Sequence, residues 1–196
     1  MHDLLEGVVA EDLLSVIRAL ANKAWFSLEQ YNSALKSFSW LSHEMYDKPQ
    51  QVPLSKKIGK LKGKACSQWV HMRNWPLLVK KFSIDKDDDV LALGLKLHEV
   101  TERITATEYR EYEIQLLHDS VLDYLDMRKR IRMEIPQIFS KPKPKHHFIR
   151  LAVRWNIFEV TVLDFFSSSK VWTIHQYFLL LFQNNAIIIY NYNQPF

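Results

Sequence analysis

The chain has 196 residues, of which 47% are hydrophobic and 13% aromatic, while only four are glycine. This composition can form a buried core and does not indicate a disordered chain. The single cysteine, Cys66, excludes an internal disulfide framework and a cysteine-based zinc site. The amino-terminal residues lack the features of a secretory signal, and no apolar run reaches the roughly 18 residues that a membrane-spanning helix needs. We therefore expect an intracellular protein without a membrane partner.

The net charge is +4, and from residue 48 onward the charges fall into four segments of different character. Residues 48–84 carry nine Lys or Arg and no acid, residues 85–126 carry twelve acids against four bases, and residues 128–150 carry eight bases against one acid. Beyond Arg150 there are two charges of each sign. Two basic segments are typical of a protein that binds a polyanion such as DNA. The alternative is that the segments neutralise one another within the fold.

Two amphipathic helices are predicted before residue 39. Over residues 3–24, in one or two pieces, apolar residues recur at spacings of three and four, and Asp3 with Glu6 fits a capping box. Ser27 with Gln30 marks the start of the second helix. The predicted buried faces are Leu5, Val9, Leu13, Val16 and Leu20 in the first helix, and Leu28, Tyr31, Leu35 and Phe38 in the second.

A loop is predicted over residues 39–63, which hold two prolines and no sustained apolar period. Helix resumes near Ala65, and Pro76 is expected to kink or shorten it. The buried face of this helix is predicted to consist of Trp69, Met72, Trp75 and Leu78.

Two more helices follow the acidic stretch "SIDKDDD", whose carboxylates favour a helix amino terminus. Thr105 and Glu108 fit another capping box, which opens a long helix to about Met133. The first of the two helices has the cleanest spacing in the chain, with Val90, Leu93, Leu97, Val100 and Ile104 on one face. We therefore predict a mainly α fold over the first 135 residues, with five or six helices and no strand.

The chain changes character after the basic linker "SKPKPKHHF". The runs "NIFEVTVLDFF" and "AIIIYNYN" are β-like, "KVWTIHQYFLLLF" is ambiguous, and none is well capped. We predict three parts, a helical region over residues 1–140, a basic linker over 141–150, and an unrelated hydrophobic tail over 151–196 that is mis-spliced or out of frame.

Two pairs of residues are candidate metal ligands by their spacing. His98 and Glu102 lie four apart in "LHEVTE", but the zinc-protease helix has a second His where this chain has Glu102, so a helix-surface pair is expected. His146 and His147 are adjacent and would point about 100° apart on a helix. We expect them to contact solvent or a partner rather than a shared metal.

The sequence contains no complete motif for nucleophilic catalysis. Cys66 has His71 five residues away, but a lone cysteine is expected to fill a small space in the core. There is no Gly-rich phosphate loop and no GxSxG. The carboxylates of residues 85–126 lie at capping and surface spacings and do not specify a metal cluster.

Basic residues in "KKIGKLKGKACSQWVHMRNW" are the strongest candidates for binding. Mobile cations bind phosphates, and aromatic side chains can stack on unpaired bases. Trp69 and Trp75 fall on the predicted apolar face and are expected in the core. The candidate nucleic-acid-binding residues are Lys56, Lys57, Lys60, Lys62, Lys64 and Arg73, with Lys143 and Lys145 of the linker.

Three stretches together resemble a known family. "MHDLLEGVV", "KLKGKACSQWVHMRNWPLLV" and "KPKPKHHF" are similar, in this order and approximate spacing, to stretches of transposase-like proteins related to the CACTA (EnSpm-like) cut-and-paste DNA transposases. The resemblance covers residues 1–149. It implies a ribonuclease-H-like core with an acidic triad that binds two divalent metal ions. Residues 4–135 would form the helical insertion between the second and third acids.

The resemblance also implies that this chain lacks the catalytic triad. His2 matches the His of the family's Asp-x-x-His pattern, whose Asp would lie two residues before Met1. The last acid would follow "KPKPKHHF" in an aromatic–Glu pair, and Phe158-Glu159 comes too early to be assigned. The implied protein is a truncated, catalytically inactive, nuclear transposase derivative that retains affinity for DNA. Mg²⁺ or Mn²⁺ is expected only in an intact family member, and no cofactor is expected here.

Two further expectations follow from this interpretation. Helices shaped to cover an absent sheet would expose apolar faces, so we expect self-association. The alternative function is a domesticated helical module that binds nucleic acid or another protein.

Overall fold

The structure is a computed structural model that describes residues 3–55, 59–106 and 111–146. All of them belong to the first of two units of the chain, Met1–Trp155. Over these residues the chain forms seven helical segments and no β-strand, which confirms the prediction of a mainly α fold. None of the described helices is long and apolar enough to cross a membrane. The predicted tail 151–196 and its boundary with the linker lie outside the described residues.

The first helical element is continuous and has two parts. A π-helical segment, Asp3–Val9, leads directly into α1, Ala10–Asn22, and the two together are called the N-terminal helix below. The predicted two-part helix over residues 3–24 is therefore confirmed. The remaining elements are α2 (Leu28–Lys36), a 3₁₀ helix (Ser42–Asp47), α3 (Ala65–Val79), α4 (Asp89–Ile104) and α5 (Glu111–Glu134).

Two of the predicted helix starts are capped by the residues that predicted them. The backbone N–H of Gln30 donates to Ser27 Oγ at 3.1 Å, and the N–H of Ser27 donates to Gln30 Oε1 at 2.7 Å. Asp88 Oδ1 accepts from two N–H groups in the first turn of α4 at 2.8 and 3.1 Å. Thr105 instead follows the end of α4, where its hydroxyl donates to the carbonyl of Thr101 at 2.9 Å, and its predicted capping partner lies outside the described residues.

The core is centred on α4, which packs against α1, α3 and α5. The predicted apolar stripes account for most of it. The buried members are Leu5, Val9, Leu13, Val16, Leu20, Tyr31, Leu35, Met72, Trp75, Leu78, Val90, Leu93, Leu97 and Val100. The half-buried members are Leu28, Phe38, Trp69 and Ile104. Trp69 is therefore not a core residue as predicted, and the guanidinium of Arg73 lies over its ring, 5.3 Å from the centroid.

Two residues shape the α3–α4 interface. Gly94 lets the helices approach closely, because a Cβ at this position would lie 2.3 Å from Cη2 of the buried Trp75. Pro76 lies inside α3, which nevertheless continues to Val79.

The segment predicted as a loop over residues 39–63 holds the 3₁₀ helix and is attached to the helices by several hydrogen bonds. Asn32 of α2 donates to the carbonyl of Val52 at 2.9 Å and accepts from its N–H at 2.8 Å. The N–H of Leu61 donates to the carbonyl of Ala10 at 2.9 Å. Both Val52 and Leu61 are buried, so the segment is fixed on the helical core at these two residues.

Candidate functional site

A buried cluster of polar side chains surrounds Asp12 of α1. Arg128 of α5 donates through Nε to Asp12 Oδ2 at 2.6 Å and through Nη2 to Oδ1 at 2.9 Å. The hydroxyl of Tyr124 also donates to Oδ2, and Nε2 of His146 lies 3.2 Å from the same oxygen. Asp12, Arg128 and His146 each expose only 1% of their surface, and Tyr124 exposes none. The carboxylate thus joins α1, α5 and the basic linker.

The two ring nitrogens of His146 have different partners. Nδ1 accepts a hydrogen bond from the backbone N–H of Lys143 at 3.0 Å, so it carries no hydrogen in this arrangement. The neutral ring therefore carries its hydrogen on Nε2, which donates it to Asp12. The N–H of His146 donates in turn to the carbonyl of Lys143 at 2.9 Å. These two local bonds close a turn with His146 on its inner side.

The charges of the cluster stabilise one another. Burial alone would raise the pKa of Asp12, but the hydrogen bonds from His146 and Arg128 and the positive charge of Arg128 outweigh it and lower the pKa. Burial and the adjacent Asp12 carboxylate raise the pKa of Tyr124 well above its ordinary value. Nη1 of Arg128 is buried without a hydrogen-bond partner in the described part of the chain. Asp12 is consequently the carboxylate that neutralises the Arg128 guanidinium.

The hydrogen bonds of the Asp12 cluster hold α1, α5 and the linker together. Both carboxylate oxygens of Asp12 already accept hydrogen bonds, and the group is shielded from solvent. Among the described residues, no group of three or more His, Cys, Asp or Glu is arranged to hold a metal ion. His2, the residue matched to the transposase motif, lies outside the described residues.

The prediction for His146 was wrong, and Asp12 was not singled out. His146 was expected to contact solvent or a partner, but it is buried because its ring fills the space next to Asp12. Asp12 does carry a recognisable signal. It lies three residues after Val9 and four before Val16, so a carboxylate falls on the apolar stripe of the helix. A charge in that position requires a buried partner.

The first group of predicted basic residues lies on the surface, the three described lysines before the amino-terminal end of α3 and Arg73 in the middle of this helix. Lys60, Lys62, Lys64 and Arg73 are exposed, and no ion pair is formed by the three lysines within the described ranges. Leu61 lies buried between Lys60 and Lys62. Lys56 and Lys57 lie outside the described residues.

The second group of predicted basic residues contacts the N-terminal helix. Nζ of Lys143 lies 2.7 Å from Oε2 of Glu11. The side chain of Lys145 extends across Gly7, where a Cβ would lie 2.7 Å from Lys145 Cδ. Lys143 therefore has an acidic partner within the fold, although Glu11 lies outside the charge segments of the sequence, and Lys145 is half-buried.

Of the remaining candidate residues, Cys66 is exposed, whereas His71 and His98 have hydrogen-bond partners. Cys66 is exposed, so the expectation that it fills the core was wrong; it lies in the first turn of α3 with its side chain in solvent. His71 is buried, with Nε2 2.8 Å from the Tyr31 hydroxyl, and burial lowers its pKa to about 3. Nδ1 of His98 lies 3.0 Å from the carbonyl oxygen of Met72.

The three stretches that carry the family resemblance meet at the N-terminal helix. From "KLKGKACSQWVHMRNWPLLV", the N–H of Ala65 donates to Oε1 of Glu6 at 2.9 Å. From "KPKPKHHF", His146 and Lys143 contact Asp12 and Glu11. No family model, curated protein or solved structure matches the chain.

Proposed function

We propose that this protein is a DNA-binding helical unit derived from a CACTA-like transposase, and that it acts in the nucleus without cutting DNA. The observation that carries the binding proposal is the exposed group Lys60, Lys62, Lys64 and Arg73 next to α3. The loop bearing the lysines is fixed at Leu61 and Ala65, so three cations are held on a defined backbone. Such a group neutralises phosphates and releases counterions on binding.

The transposase origin is supported by the packing of the three resembling stretches. Stretches separated in sequence by 50 residues or more contact the same two turns of the N-terminal helix, through Glu6, Glu11 and Asp12. A shared packing site gives a physical reason for the three to occur together. We propose that the described helices correspond to the insertion of a ribonuclease-H-like transposase.

The proposal that the chain does not cut DNA rests on the family resemblance, from which no intact acidic triad is assigned to this chain. Asp12 is not a substitute metal ligand, because a two-metal site needs carboxylate oxygens that are free to coordinate hydrated ions, and both oxygens of Asp12 are already hydrogen-bonded. Incubation of the full chain with plasmid DNA and Mg²⁺ or Mn²⁺ should leave the DNA intact. Cleavage abolished by a single carboxylate substitution would contradict the proposal.

The binding proposal is tested by salt dependence. Fluorescence anisotropy would measure the affinity of the full chain for a labelled DNA duplex at several concentrations between about 50 and 200 mM salt. The triple variant K60Q/K62Q/K64Q should reduce the slope of log affinity against log salt by up to about 3, one for each lost phosphate contact. The control K36Q/K80Q/K86Q removes the same charge from exposed lysines elsewhere. Equal slopes for both variants would contradict the proposal.

A protein-binding function is the alternative, and one observation favours it. The 3₁₀ helix and the residue before it expose Leu41 by 57%, Met45 by 50% and Tyr46 by 96%. Exposed apolar side chains grouped in one segment are typical of interaction sites, and they also support the expected self-association. Light scattering after chromatography, for the wild type and for M45S/Y46S, would distinguish the cases. Association lost in the variant would favour the alternative.

A further inference from the structure

The two basic segments that the sequence presents separately are attached to adjacent faces of one helix. Glu6 and Ala10 of the N-terminal helix hold the first segment, through the N–H groups of Ala65 and Leu61. Residue 6 lies in the π-helical segment and residue 10 begins α1. A separation of four residues is close to one turn of either helix, so the two lie on one stripe. The backbone that carries Lys60, Lys62 and Lys64 is therefore fixed along this stripe.

The next stripe holds the second segment. Gly7 lies under the side chain of Lys145, and Glu11 pairs with Lys143 at 2.7 Å. Residues 7 and 11 are also four apart, and each directly follows a residue of the first stripe. The Asp12 cluster fixes this segment further, because His146 is buried against it. The linker is thus anchored at three points within six residues of the helix.

We propose that residues 60–64 and 141–145 form one composite basic surface that binds the two phosphate backbones of a DNA duplex. This inference rests on the proposed DNA-binding function and assigns to it a second segment and a duplex ligand. Both segments flank one helix, whose diameter with side chains is about 10–12 Å, so their attachment points lie within about one helix diameter of each other. Phosphate strands on either side of a DNA groove are separated by a similar distance, about 6 Å for the minor groove and 12 Å for the major groove.

Among the described residues, Lys141 and Lys145, at the two ends of the second segment, form no ion pair. Lys141 is exposed, and Lys145 is half-buried with its stem across Gly7. Lys143 is partly neutralised by Glu11, and it holds the turn rather than contributing a full charge. His146 is the positioning residue of this segment, because its contact with Asp12 holds the turn against the helix.

The test measures the salt slope for the duplex with each segment altered in the full chain. The variants are K60Q/K62Q/K64Q for the first segment, K141Q/K145Q for the second, and the two combined. K36Q/K80Q and K36Q/K80Q/K86Q are the matched controls. We expect the second-segment variant to lower the slope by about 2 and the combined variant by about 5, with both controls close to the wild type.

His146 provides an independent readout through a double-mutant cycle. H146A should weaken duplex binding about as much as K141Q/K145Q does, and it should add little in the K141Q/K145Q background. H146Q retains a side-chain N–H for Asp12 and should restore binding. H43A changes an exposed histidine and is the control. Circular dichroism separates folded variants from unfolded ones, and the H146Q comparison applies if H146A does not fold.

The possible results distinguish this inference from the function on which it rests. A slope that falls in K60Q/K62Q/K64Q and is unchanged in K141Q/K145Q overturns the composite surface and leaves DNA binding in place. Equal affinity for a single strand and for the duplex overturns the two-backbone geometry. A wild-type chain that does not bind the duplex overturns both proposals.

Discussion

Nδ1 of His98, on α4, lies 3.0 Å from the carbonyl oxygen of Met72, on α3. In an α-helix this oxygen accepts a hydrogen bond from the N–H four residues later, but that residue is Pro76, which has no N–H. Since a carbonyl can only accept, the hydrogen of the pair is on Nδ1. His98 thus supplies, across the α3–α4 interface, the hydrogen-bond donor that Pro76 lacks. Helix α3 has this contact where it continues beyond Pro76.

This relationship predicts that His98 and Pro76 are energetically coupled. H98A leaves the carbonyl of Met72 without a donor and should lower the free energy of unfolding by about 1–3 kcal/mol. P76A restores a backbone N–H to the helix, so H98A should cost clearly less in that background. Urea denaturation followed by circular dichroism measures all four members of the cycle. The same cost in both backgrounds would contradict the coupling.

At Gly94, helix propensity and core packing predict opposite effects of an alanine substitution on stability. Propensity alone favours G94A by up to about 1 kcal/mol. The new Cβ, however, would lie 2.3 Å from Cη2 of Trp75, a fully buried ring. We therefore expect G94A to destabilise the protein by about 1–3 kcal/mol. G59A is the control, because a Cβ there meets no atom within 4 Å; thermal unfolding that shows equal shifts for both would contradict the close approach.

The helices were predictable because their signals are local. A capping residue and an apolar spacing of three and four lie within one segment, as at Ser27 and along Val90–Val100, and both predictions were confirmed. Thr105 shows the limit of this reasoning. Its hydroxyl is compatible with either end of a helix, and the contact that it makes is with the carbonyl of the preceding turn. The sequence pattern alone does not distinguish these two uses of a threonine.

The buried cluster was not predictable because its partners are remote in sequence. Asp12 lies 112 residues from Tyr124, 116 from Arg128 and 134 from His146. The position of Asp12 on an apolar stripe signals that a partner exists, but nothing local identifies it. His146 is surrounded by lysines and a proline in sequence, which favours exposure, and its burial results from the way the linker returns to α1.

The Asp12 cluster predicts a strong and specific effect of charge removal. D12N leaves the buried Arg128 guanidinium without its counter-charge and should lower the free energy of unfolding by about 3–5 kcal/mol. D126N, on the exposed side of α5, should change it by less than about 0.5 kcal/mol. The double variant D12L/R128M removes both charges and should recover much of the loss. Urea denaturation measures these values, and a D12N effect as small as that of D126N would contradict the role of the cluster.

The last prediction concerns the part of the pH dependence of stability that arises from His71. Burial lowers the pKa of His71 to about 3, whereas the same imidazole in the unfolded chain has a pKa of about 6.5. Between these values the unfolded chain holds one proton more than the folded chain, so lowering the pH reduces stability by up to about 1.4 kcal/mol per pH unit. Asp12, whose folded-state pKa is lowered, loses its contribution only below about pH 4.

Between about pH 6.5 and 4.5, stability therefore depends on the protonation of His71 and not on that of Asp12. H71Q has no ionisable group, and its amide retains a polar partner for the Tyr31 hydroxyl, which lies 2.8 Å from Nε2 in the wild type. Its free energy of unfolding should consequently fall less steeply with decreasing pH than that of the wild type. Urea denaturation at several pH values measures both slopes. Parallel curves would show that His71 is protonated equally in both states, because the linkage requires a difference in bound protons.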